Sequence, residues 1–116
     1  MGTKERVLDA ALTSFGTRGF EATSLARISI PVLVVGAVDN DFLPFEHHAA
    51  RYARYIPSCS LVRLEDGEGH FVYLNACDSD LEANGVPLCR DRDGVDRDAV
   101  QERLRAEVGA FFDRTL

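Results

Sequence analysis

The feature that most constrains the fold is a short apolar run rich in β-branched residues, Ile30-Pro31-Val32-Leu33-Val34-Val35-Gly36. A run of this length without polar alternation is typical of a strand buried on both faces, as in a parallel sheet. Pro31 lies at its first residues, where loss of one N–H does least harm. We therefore predict a buried strand here, closed by Gly36.

A crossover helix and a second strand are predicted next. Five apolar residues recur at helical spacing between Pro44 and Pro57: Phe45, Ala49, Tyr52, Ala53 and Ile56. Residues 60–64, Ser-Leu-Val-Arg-Leu, then indicate a second strand. Strand, helix and strand in this order form a βαβ unit. The predicted fold class is therefore α/β, with two parallel strands and a crossover helix.

Helices are also predicted at both ends of the chain. Residues 3–17 carry an amphipathic stripe with Thr3 as a cap, and Thr23 or Ser24 can cap a second, short helix. A C-terminal helix is predicted to start near Asp96 or Asp98, where Asp98 and Gln101 resemble a capping box. Its predicted buried face consists of Val100, Leu104, Val108, Phe111 and Phe112. Residues 76–98 are polar, acidic and rich in turn formers, which predicts a surface excursion without periodicity.

Charge and composition exclude several classes of protein. A net charge of −6 argues against a general nucleic-acid binder, although residues 1–28 carry four basic and three acidic residues. No apolar run approaches membrane-spanning length, and the N-terminus has no long apolar segment of a secretory signal. We therefore expect a cytoplasmic protein without a membrane partner.

The cysteines and histidines give little support for a metal site. Cys59, Cys77 and Cys89 form no CxxC pair, and reduced thiols are expected, although a Cys77–Cys89 pairing is open. His47 and His48 are adjacent on a helix and point to different faces. Asp91-Arg92-Asp93-Gly94 resembles half of a calcium loop, but its first and twelfth positions would be Cys89 and Val100, so a solvated loop is expected.

The C-terminal three quarters of the chain resembles an α/β-hydrolase. Residues 31–39, PVLVVGAVD, resemble that family's strand and acid loop, and residues 67–71, GEGHF, resemble its histidine loop. The stretches LPFEHHAARYARYIP, GHFVYLNAC and LCRDRDGVDRDAV are most similar to bacterial proteins called predicted dienelactone hydrolases. The resemblance covers about residues 28–116 and implies a partial α/β-hydrolase fold, cleavage of esters or lactones, and no cofactor.

The resemblance also implies catalytic residues. In this fold a strand-end aspartate orients a histidine, which takes the proton of a serine or cysteine nucleophile. Asp39 stands at the acid position, Asp41 is the alternative acid, and His70 is the histidine. Gly69 would permit a close backbone approach beside it.

The nucleophile of such a triad is missing from the sequence. No Gly-x-Ser-x-Gly elbow occurs, no cysteine occupies an equivalent turn, and all three cysteines follow the acid instead of preceding it. The chain is therefore expected to be inactive alone. A small ester or lactone would be a substrate only if another chain supplied the nucleophile.

The first quarter resembles a different family. Residues 4–28, KERVLDAALTSFGTRGFEATSLARI, are similar to the opening of TetR-type transcriptional regulators. That resemblance implies DNA contacts through Lys4, Arg18 and Arg27. However, the sequence runs into the strand at residues 29–32 where the recognition helix should follow. A DNA-binding regulator is therefore an alternative function.

Together the two resemblances predict a chimera. Residues 1–28 would be a truncated TetR-like helical segment and residues 29–116 a hydrolase-like segment. Two parallel strands make a poor independent sheet, and an unpaired edge invites association. We expect either that the N-terminal helix covers a sheet face or that two copies form a homodimer through the strand edge. A non-catalytic protein-interaction module is the third possible function.

Overall fold

The computed structural model describes residues 2–9, 20–77 and 82–116. Four helices are described in part or whole: α1 (3–9), α2 (Phe20–Leu25), α3 (Ala49–Tyr55) and α4 (Arg97–Thr115). The strands are β1 (Val32–Ala37), β2 (Cys59–Leu64), β3 (Glu82–Ala83) and β4 (Val86–Pro87). Short 3₁₀ helices span Phe45–His47 and His70–Tyr73.

The strands β1 and β2 form a parallel two-stranded sheet. Their register runs from Val32 opposite Cys59 to Ala37 opposite Leu64. The backbone N–H of Val32 donates to the Ser58 carbonyl at 2.9 Å, and that of Val38 donates to the Leu64 carbonyl at 2.9 Å. The predicted α/β class, with two parallel strands joined through a helix, is confirmed.

The sheet is covered on both faces, as the apolar sequence of β1 predicts. On one face, Leu33 and Val35 pack with Val100 and Leu104 of α4 against a buried cluster, which consists of Ala37, Val62, Leu64 and Val72. On the other face, Gly36 lies against α3. A Cβ at Gly36 would overlap that of Ala49 and lie 2.9 Å from the Phe45 ring. Glycine therefore allows the close approach of strand and helix.

The crossover helix is shorter than its apolar spacing predicts. Pro44 precedes the first 3₁₀ helix, and His48, with φ −123° and ψ −93°, separates that turn from α3. Phe45, Ala49 and Ile56 are buried as expected, whereas Tyr52 is 37% exposed. The helix ends at Tyr55, before Pro57.

Residues 76–98 contain regular structure that the prediction missed. The strands β3 and β4 pair antiparallel, and the turn between them places both Asn84 and Gly85 at positive φ, 52° and 79°. Asn-Gly is the typical sequence of such a tight turn. Cys77 and Cys89 form a disulfide with a Cα–Cα distance of 5.7 Å. The expectation of reduced thiols is therefore wrong for this pair, because the chain folds back and brings the two cysteines together.

The helix α4 begins where it was predicted to begin but is capped differently. The Asp96 carboxylate accepts hydrogen bonds from the N–H groups of Asp98 and Ala99, at 3.1 and 3.3 Å. The Asp98–Gln101 capping box is wrong, because the Gln101 amide donates instead to the Val72 and Leu74 carbonyls.

Only part of the predicted apolar face of α4 is covered. Phe111 is buried, whereas Val108 and Phe112 are 39% and 49% exposed. Their predicted burial is therefore wrong.

The N-terminal helices are described only in part. Helix α1 already includes Thr3, and the Arg6 N–H donates to the Gly2 carbonyl at 3.0 Å, so the predicted capping role of Thr3 is wrong. Residues 10–17 of the predicted span lie outside the described residues. Helix α2 already includes Phe20, so Thr23 and Ser24 lie inside it and their predicted capping role is wrong. None of the helices in the described ranges is long and apolar enough to cross a membrane.

Candidate functional site

The loop that follows β1 is shaped by the side chain of Asn40. Its Oδ1 accepts hydrogen bonds from the backbone N–H groups of Phe42 and Leu43, at 2.9 and 2.8 Å. An Asn side chain that bonds to backbone two or three residues ahead stabilises a tight turn in this way. The two donors also fix the orientation of the amide, since only its oxygen can accept them. The NH₂ group must therefore point away from the turn.

The NH₂ group of Asn40 contacts the imidazole of His70. Asn40 Nδ2 lies 3.2 Å from His70 Nδ1. An amide nitrogen can only donate, so Nδ1 must accept, and the neutral ring carries its proton on Nε2. In an acid–histidine pair the proton lies on Nδ1 and leaves Nε2 free to act as a base. The ring of His70 is therefore held in the opposite tautomer.

Neither of the two aspartates predicted at the acid position takes the place of Asn40 beside the His70 ring. Asp41 Oδ1 accepts a hydrogen bond from the backbone N–H of His70 at 3.1 Å, not from its ring. Asp39 is exposed in the turn after β1. The structure thus places Asn40, between the two candidates, against the imidazole.

Gly69 explains how Asp41 reaches the histidine backbone. A Cβ at Gly69 would lie 3.2 Å from Asp41 Oδ1, closer than most such contacts. The close approach expected at Gly69 is therefore present, and it involves the alternative acid. Asp41 joins the loop after β1 to the loop after β2 through the backbone.

Aromatic rings restrict the histidine on its other sides. The ring centroid of His70 lies 5.4 Å from that of Phe42 and 5.0 Å from that of Phe71. The two phenylalanine rings are themselves 5.1 Å apart in an edge-to-face arrangement. Such pairs add favourable packing beyond the burial of area. The imidazole is therefore positioned by packing as well as by the Asn40 amide.

Two cavities border His70. The larger, of about 250 Å³, lies beside β1 and α3 and is lined by apolar residues with five polar side chains: Asn40, His48, Tyr52, His70 and Tyr73. The smaller, of about 60 Å³, lies toward Asp41, Pro87 and Arg90. Neither lining, among the described residues, contains a serine, threonine or cysteine.

Tyr73 also lines the larger cavity, and its pKa is raised by its surroundings. Burial raises the pKa of Tyr73, and the negative charge of Glu68 raises that pKa further. Glu68 itself is 3% exposed and accepts a hydrogen bond from the Asp66 N–H at 2.7 Å. Tyr73 is therefore a neutral phenol at neutral pH, able to donate a hydrogen bond into the cavity.

The cysteines are not placed to attack a substrate at His70. Cys59 begins β2, whereas His70 follows the carboxyl end of that strand, so the two residues lie at opposite ends of the sheet. Burial raises the pKa of the Cys59 thiol, an effect only partly offset by a hydrogen bond with the Val34 backbone. Cys77 and Cys89 are joined to each other.

Two of the three residues predicted to contact DNA lie within the described residues. Lys4 is exposed on α1, and Arg27 is exposed in the turn after α2. Arg18 lies outside the described residues. Helix α2 is followed directly by β1, so the segment between Leu25 and Val32 contains no recognition helix.

The residues considered as metal ligands in the sequence are not grouped around a common point in the structure. Asp91, in the sequence that resembles half a calcium loop, accepts two hydrogen bonds from Arg97 at 2.9 Å each. Across the described parts of the chain, no three His, Cys, Asp or Glu side chains, His47 and His48 included, form a group suited to a metal ion.

Comparison of the chain with protein-family models, with curated proteins and with solved structures finds no match. The site is therefore interpreted from its own geometry. Its main missed residue is Asn40, whose only sequence signal is its position in a polar loop after a buried strand.

Proposed function

We propose that the chain is a hydrolase-like module, related to ester- or lactone-cleaving α/β-hydrolases, that does not hydrolyse esters by itself. The proposal rests on the motifs of residues 31–39 and 67–71 and on the position of His70 after β2, beside the loop after β1. In this proposal the partial sheet corresponds to one edge of the larger hydrolase sheet.

The observation that carries the proposal is the contact between Asn40 and His70. A general base must offer an unprotonated nitrogen toward the group that loses its proton. The Asn40 amide occupies Nδ1, and the proton is thereby held on Nε2. Within the described parts of the chain, Nδ1 contacts this amide and no hydrogen bond joins it to a carboxylate that could stabilise an imidazolium during attack.

The missing nucleophile supports the same conclusion. Both cavities next to His70 lack a hydroxyl or thiol of Ser, Thr or Cys in their described linings. Loss of one triad residue already removes most of the rate enhancement. Here, among the described residues, neither a nucleophile nor an acid contacts the His70 ring. Binding of a small ligand in the larger cavity is compatible with this loss.

The test is hydrolysis of p-nitrophenyl butyrate by the purified chain at pH 7 to 9. The His70→Ala variant tests the site, and His47→Ala is the matched control, because His47 is exposed and its loss removes the same number of imidazoles. We expect no saturable turnover and equal background rates in all three proteins. Mass spectrometry should detect no acyl adduct on the chain.

A different result would refute the proposal. Saturable turnover that is lost in His70→Ala but retained in His47→Ala would mean that His70 acts as a base despite its contact with Asn40. An acylated residue would identify the nucleophile.

A further inference from the structure

One edge of β1 carries backbone groups without a strand partner among the described residues. Val32 and Val38 both donate their N–H groups to the chain at β2. Because alternate residues of a strand point to opposite edges, Val34 and Gly36 also face β2. The N–H and C=O groups of Leu33, Val35 and Ala37 therefore point to the other edge, which no described strand pairs. The Ala37 carbonyl already accepts the Asn40 N–H there, at 3.2 Å, so the turn after β1 marks the end of this edge.

The larger cavity follows this same edge. It is lined by four consecutive residues, 34–37, although successive side chains of a strand point to opposite faces. A cavity that touches all four must therefore run along the edge of the strand. It ends at Asn40 and His70, so a strand added to β1 would border the candidate site.

The edge lacks the features that normally prevent strand addition. Proteins block exposed edges with charged side chains, proline or bulges. The strand Val-Leu-Val-Val-Gly-Ala contains neither charge nor proline. An extended segment could therefore add to it as far as Ala37, whose carbonyl accepts the Asn40 N–H of the following turn.

We propose that the occupant of this edge is β1 of a second copy of the chain, paired antiparallel about Val35. In this register Val35 faces its own counterpart, and Leu33 faces Ala37 of the second copy. Each pairing then occurs twice in reciprocal form about the axis, as a two-fold symmetric interface requires. The result is a four-stranded sheet with both β2 strands at its outer edges.

The charges at the two ends of β1 favour the antiparallel direction. Arg27 is exposed on the amino side of the strand, and Asp39 and Asp41 are exposed on the carboxyl side. Antiparallel pairing brings the basic end of one copy next to the acidic end of the other. Parallel pairing would bring like charges together, which is unfavourable.

The two-fold axis also determines where the second copy of α4 lies. An axis normal to the sheet keeps both copies of α4 on one face and both copies of α3 on the other. Val108 and Phe112 of α4 are 39% and 49% exposed. The dimer therefore brings a second copy of this partly exposed apolar helix to the same face of the sheet.

The first test is hydrogen exchange resolved by residue, combined with light scattering, over a range of protein concentrations. We expect twice the mass of 12.8 kDa at high concentration. The amides of Leu33, Val35 and Ala37 should be protected only in the dimer, whereas those of Val34 and Gly36 should be protected at every concentration. High salt should weaken the dimer because it screens the charges at the strand ends.

The second test is the Val35→Pro variant with Val35→Ala as its matched control. Both lose side-chain volume, but only proline removes the outward N–H, which β2 does not use. Since each dimer loses two hydrogen bonds, the dissociation constant of Val35→Pro should rise about tenfold or more relative to Val35→Ala. The exchange experiment on the parent chain gives a result even if the proline variant does not fold.

Three outcomes would overturn the proposal. A monomer with fast exchange at Leu33, Val35 and Ala37 at every concentration would mean that a second copy does not occupy the edge. A monomer in which these amides are protected at all concentrations would mean that the chain covers its own edge. A dimer whose exchange at these amides is unchanged by dilution into monomer would pair through another surface. None of these outcomes bears on ester hydrolysis.

Discussion

The side-chain amide of Asn40 joins two functions, since its oxygen accepts the N–H groups of Phe42 and Leu43 while its nitrogen lies 3.2 Å from Nδ1 of His70. One side chain thus sets both the backbone of the loop and the proton position on the ring. The loop and the imidazole are therefore coupled, and a change at Asn40 can be designed to alter one and preserve the other.

Asn40→Asp should move the ring proton of His70. A carboxylate can still accept the two backbone N–H groups, but its second oxygen requires a donor, so the proton should shift to Nδ1. The ¹⁵N chemical shifts of the imidazole should report Nε2–H in the parent and Nδ1–H in the variant. Asn40→Ala is the control that removes both contacts. Identical ring shifts in the parent and the Asp variant would mean that Asn40 does not determine the tautomer.

Gly36→Ala should destabilise the fold. The added methyl group meets Ala49 and the Phe45 ring, and such overpacking typically lowers the free energy of unfolding by about 1–3 kcal/mol. Gly109 lies inside α4 with open space around its Cα, so Gly109→Ala should raise that free energy by about 0.5–1 kcal/mol. Urea denaturation measures both. Equal effects of the two substitutions would contradict the close packing of α3 on β1.

Arg97→Ala should be more destabilising than loss of an exposed arginine. Arg97 is 6% exposed, forms two hydrogen bonds with Asp91 and donates to the Leu88 carbonyl at 3.1 Å. Removing one member of a buried ion pair typically costs about 3–5 kcal/mol. Arg105→Ala, which breaks an exposed pair with Glu102, should change stability by less than about 1 kcal/mol. A similar loss in both variants, measured by urea denaturation, would count against the buried pair.

The Cys77–Cys89 disulfide should stabilise the segment around the β3–β4 hairpin. Replacing both cysteines by serine should lower the free energy of unfolding by about 2–4 kcal/mol, because the unfolded chain gains freedom. Thiol titration in denaturant should find Cys59 alone reactive in the parent. Reaction of all three cysteines without a reductant would show that the bond does not form.

Cys59 should make stability depend on alkaline pH. Burial raises the pKa of its thiol in the folded chain, so above the ordinary thiol pKa the unfolded chain loses its proton first. The contribution to stability is therefore present at neutral pH and is lost as pH rises through the folded pKa. The parent should lose more stability than Cys59→Ala between pH 8 and 10, as measured by denaturation. Parallel pH profiles would contradict the raised pKa.

The strands β1 and β2 were predictable because burial in a sheet covered by helices requires short runs rich in apolar residues, whereas β3 and β4 are two residues each and carry no such pattern. The uninterrupted apolar residues of β1 and the proline after α3 give the position of the sheet and its crossover. The apolar spacing of α4 likewise predicts that the helix exists, and the acidic residues Asp96 and Asp98 predict where it starts. These properties depend on a few neighbouring residues, which the sequence presents together.

The burial of α4 was not predictable from its spacing, because it depends on which elements pack against each side of the helix. In the second half of α4, Phe111 is buried and the Arg114 guanidinium lies 3.5 Å from the Ser60 hydroxyl of β2, whereas Val108 and Phe112 stay exposed. Periodicity gives the direction of a side chain but not what lies opposite it.

The role of Asn40 was unpredictable for a related reason. Asp39, Asn40 and Asp41 are three consecutive polar residues in one loop, and the backbone turn alone decides which of them meets the imidazole. That turn is itself stabilised by the Asn40 oxygen. The choice therefore depends on a contact between residues 40 and 70, which is not visible in either segment alone.

The double role of the Asn40 amide also has a genetic consequence. Asparagine and aspartate codons differ by one nucleotide, and both side chains can accept the hydrogen bonds that shape this turn. A single base change would therefore exchange a donor for an acceptor beside the imidazole while leaving the backbone that carries it in place. One nucleotide substitution, which changes Asn40 to Asp, would thus move the proton of the His70 ring from Nε2 to Nδ1.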